Sequence, residues 1–222
     1  MTVTLHVEIW SDVVCPWCYI GKRRFERAVA EVDGEIDVEF VYRPYQLDPT
    51  APIGTATPVA EVYARKFGGP ERAERIFENV TGIAAGEGLD FRLDQALRGN
   101  TRDAHRLLWF AEQDAGPDVQ AALKEQLLQA YFSDGLDVGD RDVLADRAAA
   151  AGLDRETVAA FLDGTDGADE VDEMLARAHE QGITAVPTYV IEDSWAIPGA
   201  QETDTFVQVL RRMAERRAPS GD

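Results

Sequence analysis

Apolar and polar residues alternate over residues 2–10, with Val3, Leu5, Val7 and Ile9 set against Thr4, His6 and Glu8. A period of two predicts a strand with one buried face. From Tyr19 the interval lengthens: Ile20, Phe25, Ala28, Val29 and Val32 recur at helical spacing until Asp33-Gly34, where the pattern breaks. Alternation returns with Ile36, Val38, Phe40 and Tyr42, which predicts a second strand ending before Pro44 or a little after it. The chain opens as strand, helix, strand.

Residues 49–57, rich in Pro, Gly, Thr and Ala, read as a linker. Helical spacing then dominates. Helices are expected over 58–67, 70–87, 101–115, 119–132, 140–151 and 155–162, with glycine or proline punctuating the gaps at Gly68-Gly69-Pro70, Gly99, Gly116-Pro117, Gly135 and Gly152. A further helix over 169–181 leads to an apolar, β-rich segment at 188–192 and a short strand at 195–197. An amphipathic helix over 203–216, with Phe206, Val209, Leu210 and Met213 on one side, closes the chain. A β-α-β start and a β-β-α finish are the two halves of a thioredoxin-like sheet. The expected fold class is α/β, a thioredoxin-like fold with a large all-helical insertion. Residues 1–50 plus 167–222 would form the discontinuous thioredoxin-like domain and 51–166 the insertion. A contiguous α/β domain of another topology is the alternative.

Composition narrows the functional classes. With 222 residues, 45% of them hydrophobic, the chain can bury a substantial core without staples. Its 41 acidic residues against 22 basic ones give a formal charge of -19, a surface that repels nucleic acid and anionic membranes, so neither is an expected partner. The acidic residues are dispersed, and Lys22, Lys66 and Lys124 are the only lysines. Dispersed acid suits a salt-loving source, although GC-rich coding alone would produce the arginine bias. Apolar runs are short and interrupted by charge, and the first ten residues lack the pattern of a signal peptide. A cytoplasmic location is the resulting expectation.

The two cysteines are Cys15 and Cys18, in Cys15-Pro16-Trp17-Cys18, where the first strand gives way to the first helix. Cysteines three apart at a helix start bring both sulfurs to the N-terminal turn, close enough to bridge. Free N–H groups and the helix dipole there favour a thiolate on the first sulfur. Cys15 is the expected nucleophile and Cys18 the resolving thiol, closing the motif disulfide through a mixed-disulfide intermediate. Pro16 fits a first helical turn, whose donors are unpaired anyway. A structural zinc site needs four ligands, and His6, His105 and His179 lack zinc-like spacing, so no metal is expected. A permanent structural disulfide would close so short a loop that it gains little. Far along the chain, Val186-Pro187 precedes an apolar strand, where a proline suits a tight turn with a cis bond.

Taken together, Cys15-Pro16-Trp17-Cys18-Tyr19-Ile20-Gly21, Val186-Pro187-Thr188 and Gly199-Ala200-Gln201 resemble the DsbA-like thiol-disulfide oxidoreductases, most closely their FrnE branch. The likeness extends through Tyr45-Gln46-Leu47-Asp48-Pro49, Asn100-Thr101, Ala104-His105-Arg106-Leu107 and Ala130-Tyr131-Phe132 with Gly135. The resemblance implies a thioredoxin fold with a helical insertion, and a cis proline at Pro187 against the cysteine pair. It also implies dithiol-disulfide exchange with no cofactor other than the redox-active disulfide Cys15-Cys18. The backbone of Val186 would bind an extended substrate as an added strand. Asn100 and His105 would line the cleft, against the competing reading of His105 as a helix-face histidine with no catalytic part. Gln201 reads as structural, shaping the last turn and capping the closing helix. Periplasmic DsbA proteins carry histidine where this chain has Trp17, a ring without a cation. A weaker thiolate stabilisation follows, with a reduction potential between the DsbA and thioredoxin values.

Rival functions come from the same superfamily and from outside enzymology. Kappa-class glutathione transferases and hydroxychromene carboxylate isomerases share the fold and bind glutathione, but typically present serine in place of Cys15. A redox sensor or chaperone-like binder would use the same residues without turnover. Expected partners are thiol or disulfide substrates, with glutathione and extended peptides as candidates. A homodimer is one use for the apolar residues of the insertion; filling its own core is the other.

Overall fold

The alternation at the N-terminus forms the strand it predicts, β1 (Val3–Ser11), and the helical spacing after it forms α1 (Pro16–Glu31), which returns the chain to β2 (Ile36–Pro44). The computed structural model describes residues 2–217. The chain continues through β3 (Thr57–Pro58), α2 (Val59–Phe67), α3 (Pro70–Gly86), β4 (Leu97–Arg98), α4 (Arg102–Ala115) and α5 (Pro117–Phe132). It then runs through α6 (Arg141–Ala150), α7 (Arg155–Asp163), α8 (Ala168–Glu180), β5 (Thr188–Ile191), β6 (Trp195–Pro198) and α9 (Thr203–Arg217). Local chemistry explains the helix starts. Pro16, Pro70 and Pro117 occupy first-turn positions, where the missing N–H costs nothing. The carboxylates of Asp140 and Asp154 accept from the N–H groups of Asp142 and Thr157 at 2.9 and 2.8 Å, capping α6 and α7.

β1 pairs in parallel with β2 from Val3↔Ile36 to Ser11↔Pro44 and antiparallel with β5, where Trp10 faces Thr188. The four-stranded order is β2-β1-β5-β6. Because side chains alternate across a strand, Leu5, Val7 and Ile9 share one face with Phe25 of α1 and Phe206 of α9. Tyr189 seals that layer, its ring 4.9 Å from Phe25 and 4.6 Å from Phe206. Trp10 lies on the other face with Ala178 of α8 and Val190 of β5. The polar positions of β1 are not simply solvated. Glu8 receives Arg43 at 2.8 Å and Arg177 at 2.7 Å, tying β2 and α8 to the sheet.

The helices between the two halves of the sheet share a core that includes Leu107, Leu123, Leu127, Leu128 and Leu144. Val13, Tyr19 and Ile20 from the start of the chain belong to the same cluster, so the helical part packs directly around the segment that carries the cysteines. Glu125 of α5 accepts from Tyr19 Oη at 2.6 Å and Arg23 Nη1 at 3.0 Å, which fixes α5 to α1.

Three details depart from the sequence pattern. Pro117, expected as a break, is the first residue of α5. Residues 49–57 are not a free linker, because the Ala51 carbonyl accepts from Asn100 Nδ2 at 2.9 Å. The two-residue ribbon of β3 and β4 was not expected, and Leu89, Phe91 and Leu93 before β4, which alternate with Asp90, Arg92 and Asp94 as strand residues do, are buried from an irregular stretch together with Ala96.

The outer edge of β2 is closed by one side chain. Gln120, 1% exposed, accepts from the Tyr42 N–H at 2.7 Å and donates to the Tyr42 carbonyl at 3.0 Å, mimicking a neighbouring strand. Replacing it by Leu keeps the volume but strands two buried backbone groups. Gln120→Leu is expected to cost about 3 kcal/mol in urea unfolding; a loss within experimental error would show that β2 does not depend on this contact.

Candidate functional site

Cys15 is the last extended residue before α1, at φ -91° and ψ 115°, and Pro16 begins the helix. One helical turn on, the Cys18 N–H donates to the Cys15 carbonyl at 3.0 Å. Both sulfurs are free thiols, and each residue is 3% exposed. Trp17 between them is 40% exposed. The Val186–Pro187 peptide is cis, and the Val186 carbonyl accepts from Cys15 Sγ at 3.6 Å. Strand register explains the meeting: the cysteines follow the end of β1 and Val186 precedes the start of β5, and these ends pair at Trp10↔Thr188.

Gly21 lets the two sides close. A Cβ there would stand 2.6 Å from Tyr189 Oη, 3.1 Å from Pro187 Cγ and 3.3 Å from Ala200 Cβ. Glycine inside a helix costs about 1 kcal/mol against alanine, a penalty the close approach makes necessary. The Gly199 N–H donates to the Pro187 carbonyl at 2.7 Å, and Gln201 Nε2 donates to the Pro198 carbonyl at 2.6 Å, closing the turn it was expected to shape. Segments 15–21, 186–188 and 199–201, far apart in the chain, thus converge on one point.

Residues 6–211 match the DSBA-like thioredoxin domain family. The chain belongs to this family. Among solved structures it is similar to the probable DsbA oxidoreductase SCO1869 of Streptomyces coelicolor, at 36% identity and a TM-score of 0.89, covering 98% of this chain and 93% of that one. It is also 28% identical to the uncharacterized protein YwbO of Bacillus subtilis (strain 168), over 94% of this chain and 96% of the relative. The cytosolic disulfide reductase DsbM of Pseudomonas aeruginosa, solved with GSH, shares the fold at 20% identity and a TM-score of 0.64, covering 95% of this chain and 100% of that one. Among the described residues no cluster of His, Cys, Asp and Glu is arranged to hold a metal ion, and no helix is long and apolar enough to cross a membrane.

Behind the cysteines of this DSBA-like domain lies a charged layer that the motif reading missed. Asp12 is fully buried; its Oδ1 accepts from the Val13 N–H at 2.8 Å and lies 3.2 Å from His105 Nε2, while its Oδ2 accepts from the Leu47 N–H at 2.8 Å. Burial opposes ionisation, but the His105 hydrogen bond and charge, the Leu47 amide and Lys124 outweigh it and hold the Asp12 carboxyl below its usual range. His105, 2% exposed, therefore sits on Asp12 behind the pair rather than on an open cleft. Asn100 is engaged elsewhere. Its Oδ1 accepts from Gln46 Nε2 at 3.2 Å and the Arg102 N–H at 2.9 Å, and none of its hydrogen bonds reaches a cysteine or Val186.

Burial and neighbouring charges act on the two thiols alongside helix position. Cys15 caps α1 without a side-chain hydrogen bond to the first turn. Its hydrogen bond with Cys18, then burial and the nearby Asp12 carboxylate, push the Cys15 thiol well up. Burial also works against a Cys18 thiolate, but the Cys15 thiol, the Lys124 ammonium and the Ser11 hydroxyl overcome it and lower Cys18. The two thiols titrate as a pair, and the Lys124 ammonium favours a thiolate on it.

Lys124 is the principal residue that sequence reasoning overlooked. It is 1% exposed, its Nζ has no hydrogen-bond partner, and it lies 5.5 Å from the centre of the Tyr42 ring. A signal existed: a rare lysine stands one turn from Gln120 and between Leu123 and Leu127, on the buried side of a helix. Burial pushes Lys124 down from 10.5 to about 8, against the attraction of Cys18 and Asp12. A folded-state value below the unfolded one means the unfolded chain binds more protons, so this group's cost of about 3 kcal/mol at neutral pH is relieved as pH rises from about 8 toward 10.5. Lys124→Met is expected to raise stability in urea at pH 7 by about 1–3 kcal/mol, with the gain shrinking above pH 8. The same change is expected to move the thiolate titration, followed by ultraviolet absorbance, to higher pH. A titration curve identical to that of the unaltered protein would remove Lys124 from the site's electrostatics.

Proposed function

We propose that this chain catalyses thiol-disulfide exchange through Cys15 and Cys18, cycling between the dithiol and the Cys15-Cys18 disulfide. The observation that carries the reading is the buried dithiol held 3.6 Å from the carbonyl of a cis Val186–Pro187 junction. Among the described residues the Val186 N–H donates to no protein acceptor, which leaves it available to an extended substrate.

In the reducing direction Cys15 attacks a substrate sulfur, its proton passing to Cys18, and a mixed disulfide forms as the first substrate thiolate leaves. Cys18 gives that proton to the departing thiolate, its own thiolate favoured by the charge of the Lys124 ammonium, and then attacks Cys15 Sγ. The motif disulfide closes, and the second substrate thiol departs. No electron carrier beyond the two sulfurs is required. Asp12, held by His105, fixes the segment before Cys15. Trp17 provides an aromatic wall but no cation, so the reduced form is less favoured than with a histidine there. Substrates are protein or small-molecule thiols and disulfides. The GSH held by the DsbM structure supports glutathione as one of them, and a reducing cytoplasm as the setting.

Two measurements test the proposal. With dithiothreitol as reductant, the protein should reduce insulin catalytically, Cys15→Ser should lose at least about a hundredfold in rate, and Cys18→Ser should accumulate a mixed disulfide. Full activity in Cys15→Ser, or conjugation of glutathione in place of insulin reduction, would overturn the assignment, and a single turnover would indicate a sensor. Redox titration against glutathione should place the pair between about -270 and -120 mV; a potential at or above the upper value would contradict the role given to Trp17.

A further inference from the structure

Ion pairing is uneven on this chain. With 41 acidic residues against 22 basic ones, a cation at the surface should find a carboxylate easily. Apart from Lys124 in the core and two arginines of α9, the cations with no carboxylate within 4.0 Å among the described residues are Arg65, Lys66, Arg72 and Arg75. All four lie on the α2–α3 hairpin.

That hairpin forms a groove with the active-site motif. The groove, about 560 Å³, is walled by Trp17, Phe67, Ile76 and Val80 and carries Arg72, Arg75 and Asn79 as its polar groups. No carboxylate lines it. Helix geometry produces this segregation: 72, 75, 76 and 79 share one face of α3, whereas Glu71, Glu74 and Glu78 fall on the adjoining one. Two large apolar side chains are left unusually open here, Trp17 at 40% and Phe67 at 37% exposure. The volume suits a small molecule, within the roughly 300–1,000 Å³ of ordinary ligand pockets.

We propose that this groove is the specificity subsite for a low-molecular-weight disulfide bearing carboxylates, held by Arg72 and Arg75 with its body against Trp17 and Phe67. The inference rests on the oxidoreductase reading above and supplies its substrate class. Charge complementarity carries it. A chain of net charge -19 repels small anions over most of its surface, so an anionic substrate needs a local cationic site. Screening over roughly 8 Å confines the field that matters to residues beside the reacting sulfurs. Trp17, between the two cysteines, places the groove there. Guanidinium groups that no protein carboxylate neutralises are free to bind substrate carboxylates in bidentate fashion. The bound disulfide then undergoes the exchange described: its S–S bond breaks, two thiols leave, the Cys15-Cys18 bond forms, and a dithiol reductant restores the enzyme.

The test compares two disulfides of similar length, dianionic 3,3'-dithiodipropionate and neutral bis(2-hydroxyethyl) disulfide, with dithiothreitol as reductant. The unaltered protein should favour the dianion in kcat/KM. Arg72→Gln/Arg75→Gln should lower the dianion-to-neutral ratio by about ten- to a hundredfold, chiefly through KM, and Arg72→Lys/Arg75→Lys should restore part of it. Dianion binding to the unreactive Cys15→Ser/Cys18→Ser protein, followed by calorimetry, should weaken by a similar factor when both arginines are changed. An unaltered ratio in the glutamine variant, or no preference for the dianion in the unaltered protein, overturns the subsite while leaving the oxidoreductase reading intact. Failure to turn over either disulfide also overturns the subsite, and the insulin assay decides the oxidoreductase reading separately.

Discussion

The site depends on the antiparallel pairing of β1 with β5. Trp10 opposite Thr188 brings together the end of one strand and the start of another, so the segments leading out of β1 and into β5 emerge at the same end of the sheet. One carries the cysteines and the other the Val186–Pro187 junction. Neither segment makes a site alone. Gly21 then sets how closely they meet, because Tyr189, Pro187 and Ala200 occupy the space a side chain would need. The aromatic layer of Phe25, Tyr189 and Phe206 beneath them makes this meeting point rigid rather than adjustable.

The helical part contributes more than bulk. Through Gln120 it closes the edge of β2, and through Glu125 it grips α1. The helix that supplies these two contacts also sends Lys124 into the core behind Cys18. An unpaired ammonium there is costly, yet in so dry an environment it acts on a neighbouring thiolate far more strongly than a surface cation would. Stability is traded for control of the sulfur charge. Asp12 shows the opposite solution, a buried carboxylate whose oxygens are met by two backbone amides and the His105 ring. Positive charge thus stands at two places around the motif: Lys124 in the core near Cys18, and Arg72 and Arg75 in the groove that Trp17 walls.

Much of this molecule was readable from local pattern. The β1 alternation, the helical periods and the proline and glycine positions located the principal elements, because these signals depend on residues within a few positions of one another. The cysteine spacing was likewise a local signal, since three residues in a helical turn suffice to bring two sulfurs together. Irregular but buried segments were not readable. Leu89, Phe91 and Leu93 alternate with Asp90, Arg92 and Asp94 as a strand would, yet the segment is irregular and joins the helical core, where Phe91 stacks on Tyr19 and Phe132.

Among the site residues, the sequence by itself pointed to Cys15 and Cys18 through their spacing, and to the proline at 187 chiefly through the family resemblance. Tertiary structure decided the rest. It turned His105 toward Asp12 and Asn100 toward Ala51 and Gln46, and brought Lys124 close to Cys18 across more than a hundred residues of chain. It also decided which charges act on the two thiols. Helix position alone favours Cys15, but charge and burial are properties of the surrounding space, and Lys124 and Asp12 enter that space only when the helical part folds against the sheet.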